Sequence, residues 1–201
     1  MTNLFLSLCR FHIWKKQVFP TIYILLYVLF TITDLYTTYL CTPNLKIETN
    51  PVIRYFNWGW TGLLLWAFFM LVVTILSAIS ANKYILKYFE NKKQNILANK
   101  ILFCIFFLLL AYCYQNLIAS FEASINNYLT YRYLFSNSKD GLQKIAVDYV
   151  QLYMNFNKKF GANSLIYTIT ILEYLLGGII AIFQINRVKK YAQPTISSRN
   201  P

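Results

Sequence analysis

The sequence predicts an all-α integral membrane bundle of four transmembrane helices, N-in/C-in, with an external amphipathic helix between spans three and four. Three observations lead there. Hydrophobic residues make up 57% of the 201 and charged ones 13%, against roughly 25% charged in an average soluble domain. The apolar residues gather into four runs, each near the ~20 residues that cross ~30 Å of hydrocarbon as a helix. The charges, net +12, lie almost entirely between those runs, where basic residues set membrane orientation and meet anionic headgroups. That placement argues against nucleic acid as the partner.

The first run covers about residues 18–41. Arg10, Lys15 and Lys16 precede it, as in a signal peptide. The run is too long for a signal core, carries Asp34 and lacks a small-x-small cleavage site, so we expect an uncleaved span. The second run covers about 61–81, the third about 101–121 and the fourth about 162–186. Together they make one transmembrane domain over residues 1–191, with 192–201 expected as a flexible cytoplasmic tail.

Orientation follows from the flanks. Arg10, Lys15 and Lys16, then Lys83, Lys87, Lys92, Lys93 and Lys100, then Arg187, Lys189, Lys190 and Arg199 all fall on one side. The opposite connections hold Lys46 and Arg54, then Arg132, Lys139, Lys144, Lys158 and Lys159, spread over more residues. The denser side is the cytoplasm of a prokaryote, or the interior face of an organelle inner membrane. Within the connection after the third run, Leu142, Ile145, Ala146, Tyr149, Tyr153 and Phe156 recur at helical spacing, with Lys144, Asp148 and Gln151 between them. This spacing predicts an amphipathic helix on the outer leaflet or capping the bundle. Upstream, Tyr128, Tyr131, Tyr133 and Phe135 suit an interfacial aromatic belt.

Carboxylates inside a span are costly and need an explanation. Asp34 lies roughly 10 Å deep in the first run at helical rise, with Thr31, Thr37, Thr38 and Cys41 on or beside its face. The third run offers Tyr112, Gln115, Asn116 and Glu122, and the fourth offers Thr170, Glu173 and Gly177. The second run shows Thr74, Ser77, Ala78 and Ala81 on one face, which suits close helix packing. No Lys or Arg lies inside a run, so Arg54 and Arg132 from the connections are the cations available to these carboxylates. The candidate polar cluster is therefore Asp34, Thr37, Glu48, Asn50, Arg54, Gln115, Asn116, Glu122 and Glu173. Read blandly, it is a hydrogen-bonded knot that sets helix register; read sharply, it is a site for a proton, a cation or a polar headgroup.

Before the second run, Asn50-Pro51 reads as a helix start, with Asn as the cap and Pro at the first helical position. Asp34-Leu35-Tyr36-Thr37 followed by Glu48-Thr49-Asn50-Pro51 resembles the hallmark of a family of small prokaryotic multi-span membrane proteins. That family's pattern is Asp and Thr late in the first span, then Glu-x-Asn-Pro before the second. The resemblance covers residues 30–56 and implies a multi-span architecture. It marks Asp34, Thr37, Glu48, Asn50 and Pro51 without naming an activity.

Three functional readings follow. A non-catalytic subunit or interaction partner of a larger membrane assembly fits the small size and the abundant aromatics. A proton or cation carrier component would use Asp34, Glu122 and Glu173, although the chain shows no inverted repeat and no broken apolar segment. An intramembrane enzyme acting on lipid would use the carboxylates as acid and base or as ligands for an oxygen-preferring metal, although nothing in the sequence supplies a nucleophile in a known context. His12 is the single histidine, which excludes bis-histidine haem and histidine-rich zinc sites. The four cysteines show no paired metal spacing. We therefore expect no metal and no cofactor, and as partners the lipid bilayer and other membrane proteins.

Overall fold

The computed structural model describes residues 18–45, 56–90, 97–136, 140–161 and 163–192. Among them there are five helices and no strand: α1 (Val18–Cys41), α2 (Gly59–Glu90), α3 (Leu97–Phe135), α4 (Gly141–Phe160) and α5 (Ser164–Ala192). Four of these, α1, α2, α3 and α5, are long and apolar enough to cross a membrane, as an integral membrane protein requires. Three helices outrun the spans read from hydropathy. Where we expected 61–81, 101–121 and 162–186, α2 continues to Glu90, α3 to Phe135 and α5 to Ala192. Apolarity marks the length that lipid can cover. The helix itself ends only where backbone hydrogen bonding is interrupted, so it carries polar residues such as Asn82 and Asn127 past that length. The expected tail falls outside the described residues from 193 onward.

The chain divides into two compact units. In the first, around Cys113, the beginning of α1, the second part of α2, the first part of α3 and the second part of α5 pack together. Here α2 presents a buried stripe of Thr74, Ala78, Ala81, Asn82 and Ile85, spaced so that successive members share one helix face. Small residues let backbones approach closely, and α5 shows how closely. A Cβ placed on Gly177 would meet the Ala111 carbonyl oxygen at 2.6 Å and the Gln115 nitrogen at 2.9 Å. One turn on, Ala181 is fully buried. Gly177 thus makes the close small-residue contact with α3. At the other end of this unit Tyr84 stacks on Phe106, their ring centroids 4.2 Å apart.

The second unit, around Asp34, takes the rest of α1, the start of α2, the end of α3, α4 and the start of α5. Pro43 follows closely on the end of α1, where a helix cannot continue. The chain turns there with Leu45 at φ 56°, and Leu45 and Leu63 form a small core with Leu35 and Trp60 against it. Trp60 Nε1 donates to the Pro43 carbonyl at 2.8 Å, pinning the turn to the first residues of α2. Along α1 and α3, Phe30 packs on Phe121, and Ser124 Oγ bonds back to the Ser120 carbonyl at 2.8 Å.

Helix α4 is held at both ends. Asp140 caps its N-terminus, accepting from the Gln143 backbone N–H at 2.8 Å. Both oxygens of the same carboxylate take Arg132 Nη2 from the last turn of α3, at 2.6 Å each. At the far end Gly161, at φ 103°, supplies a backbone conformation that residues with a Cβ rarely adopt. Asn157 Oδ1 then accepts from Ser164 Oγ and from the Leu165 N–H, so a residue of α4 caps the start of α5. Ala146 is fully buried, Tyr149, Tyr153 and Phe156 are half-buried, and Lys144 and Asp148 are exposed. Leu142 and Ile145, which share the apolar spacing, are exposed as well. The apolar arc of α4 is wider than the strip its unit covers.

Candidate functional site

The polar residues of the spans form separate groups in the two units. In the Asp34 unit the centre is on α1 and α3. Asn127 Nδ2 donates to Asp34 Oδ1 at 3.0 Å and lies 2.9 Å from Thr38 Oγ1. Thr38 is buried and Asp34 half-buried, so a neutral amide answers the carboxylate across the helix interface. Thr37, also buried, turns its hydroxyl to its own helix, donating to the Thr33 carbonyl at 3.0 Å and the Asp34 carbonyl at 3.1 Å. A threonine hydroxyl used in this way is satisfied without a partner helix.

A second group in this unit faces α4 and α5. Glu173 of α5 is buried and lies within electrostatic range of half-buried Glu122 of α3. Glu122 in turn acts on Tyr149 of α4. The Tyr149 hydroxyl donates to Asn126 Oδ1 at 2.9 Å, one turn along α3 from Glu122. Burial pushes the Tyr149 phenol up to about 12, with the Glu122 carboxylate and the Tyr153 hydroxyl adding to the effect. Arg132, one of the two cations expected to reach a span carboxylate, pairs instead with Asp140 at the α3–α4 corner.

In the Cys113 unit, buried hydrogen bonds join neutral groups. Tyr23 donates to the Cys113 carbonyl at 2.8 Å, and Cys113 Sγ points to the Thr74 carbonyl at 3.6 Å. Tyr114 donates to Gln184 Oε1, and Gln184 Nε2 donates to Asn82 Oδ1 at 3.3 Å. Gln115 is buried beside the Gly177 seam, and Asn116 Nδ2 and Thr74 Oγ1 are buried without a hydrogen bond.

The structure thus places the candidates in distinct settings. Asp34, Thr37, Glu122 and Glu173 belong to one unit, Gln115 and Asn116 to the other. Glu48, Asn50 and Arg54, with Pro51, lie outside the described residues. Asn127, Asn126 and Tyr149 were missed as site residues, and so was the Asn82–Gln184–Tyr114 chain. The signal for Asn127 was present. Asp34 lies seven residues before the end of α1 and Asn127 eight before the end of α3, so the two match in depth once α3 is given its full length. Ending the span at 121 hid that match. Among the described residues, no three His, Cys, Asp or Glu side chains converge as a metal-ligand set.

Comparison with protein-family models, with curated proteins and with solved structures finds no match. The functional reading therefore rests on the geometry.

Proposed function

We propose that this chain is a small multi-span membrane protein serving as a non-catalytic subunit or interaction partner of a larger membrane assembly. In this reading both termini are cytoplasmic, α4 lies on the outer side, and the membrane is a prokaryotic cytoplasmic membrane or an organelle inner membrane. The supporting observation is how the polar groups are used. Asp34, Thr38 and Asn127 in one unit, and Asn82, Tyr114 and Gln184 in the other, spend their polar atoms on one another across helices. Interhelical bonds of this kind set the register of neighbouring spans. They suit a scaffold whose remaining surface is free to meet lipid and other spans. The resemblance over residues 30–56 is compatible with this, because its Asp34 enters such a bond.

Extraction in a mild detergent followed by sizing tests the reading. We expect the 23.7 kDa chain to migrate in a complex well above its own mass plus micelle. Migration alone would overturn the proposal. Reporters fused after Lys93 and Tyr191 should be cytoplasmic and one at 136–141 external; a cytoplasmic signal at 136–141 would reverse the orientation.

A proton or cation carrier component is the second reading, favoured by one observation. Glu122 and Glu173 lie within electrostatic range of each other inside candidate spans. Two carboxylates so placed hold a proton or a cation between them more readily than two negative charges. Replacing both with Gln and measuring proton or sodium flux in proteoliposomes separates the two readings.

A further inference from the structure

Helix α4 has three faces. One is the strip of buried Ala146 and half-buried Tyr149 and Tyr153 turned to its own unit. The other two are lines of residues seven apart, which nearly superpose on a helix because two turns take 7.2 residues. Ile145 and Leu152, 54% and 63% exposed, form an apolar line that runs into exposed Lys159. Lys144, Gln151 and Lys158, all exposed, form the polar line. Asp148 is the one acid of this exposed face, so the face carries a positive excess.

Position limits what can meet such a helix. In the chain α4 joins one candidate span, α3, to the next, α5. The Arg132–Asp140 pair at one corner and the Asn157 cap at the other hold it by both ends. An exposed apolar line with lysines beside it, on a helix between two candidate spans, is complementary to acyl chains under negatively charged headgroups. Lysine stems also lie along apolar surface while their ammonium groups reach outward.

We propose that α4 binds an anionic lipid surface, with Ile145 and Leu152 entering the acyl boundary and Lys144, Lys158 and Lys159 holding phosphate headgroups. This rests on α3 and α5 being membrane spans, and it is independent of which side α4 occupies and of any partner subunit. A chain that runs alone on sizing leaves it untouched.

Two measurements on the full chain test it. A nitroxide at Leu152→Cys, with Cys9 and Cys104 changed to Ser, is read in phosphatidylcholine nanodiscs containing phosphatidylglycerol. It should be accessible to oxygen and shielded from a water-soluble nickel reagent. Native mass spectrometry then counts phosphatidylglycerol retained after detergent purification. Lys144→Gln, Lys158→Gln and Lys159→Gln combined should lower retention about tenfold or more, given about fivefold per lysine near a charged surface. The three Lys→Arg changes should restore it, and unchanged thermal unfolding shows that the fold is kept. A label open to nickel overturns the proposal. So does a label closed to both reagents, which would mean that protein covers this flank, and so does retention unaffected by the Gln variant.

Discussion

Asn127 Nδ2 donates to Asp34 Oδ1 at 3.0 Å, joining α3 to α1 through a carboxylate that hydropathy alone would place in hydrocarbon. The bond explains how the chain tolerates an acid there. An amide meets it in the protein, where lipid would offer nothing.

Asn127→Ala removes that donor from both Asp34 and Thr38, and we expect it to lower stability by about 1–2 kcal/mol. Asp34→Asn keeps the shape and an acceptor oxygen, so it should cost less. Unfolding in detergent measures both. An Asn127→Ala protein as stable as wild type would show that the bond contributes nothing. If Asp34→Asn folds normally but abolishes flux in proteoliposomes, the carrier reading gains over the scaffold.

Gly177 and Gly178 are adjacent in sequence and opposite in expectation. Gly177→Ala puts a methyl group 2.6 Å from the Ala111 carbonyl oxygen, against backbone that cannot turn aside. It should destabilise by about 1–3 kcal/mol, as overpacking does. Gly178→Ala meets nothing within 4 Å and should be neutral, or stabilising by up to about 1 kcal/mol through helix propensity. Thermal unfolding of the two variants side by side checks the seam; equal effects would mean that α5 does not approach α3 through Gly177.

Tyr149 gives a dependence on alkaline pH. Its phenol is raised from the ordinary value near 10 to about 12, so the native protein holds this proton more tightly than the unfolded chain. The resulting stability is complete below pH 10 and is lost as pH rises through about 12. Tyr149→Phe should flatten that alkaline loss. At neutral pH it should cost about 1 kcal/mol for the missing bond to Asn126. Phenolate absorbance during titration follows the group directly, and a Tyr149 that ionises near 10 would contradict the buried setting.

Much of the fold was legible in the order of residues. The runs that became α1, α2, α3 and α5 announced themselves because lipid demands about twenty apolar residues in succession, a requirement local to the chain. The spacing of Leu142, Ile145, Ala146, Tyr149, Tyr153 and Phe156 announced α4 for an equally local reason, since one helix face recurs every three to four residues. The polar positions Asp34, Glu122 and Glu173 were also visible, as exceptions within apolar runs. Their partners were not. Whether Asp34 meets Asn116 or Asn127 depends on how far α3 continues and how it slides against α1. Neither sequence segment contains that register; packing between them sets it. The same holds for Gly177 and Gly178, identical as letters. Only the approach of α3 decided which of them has no room for a side chain, because contact between helices is a property of two surfaces together.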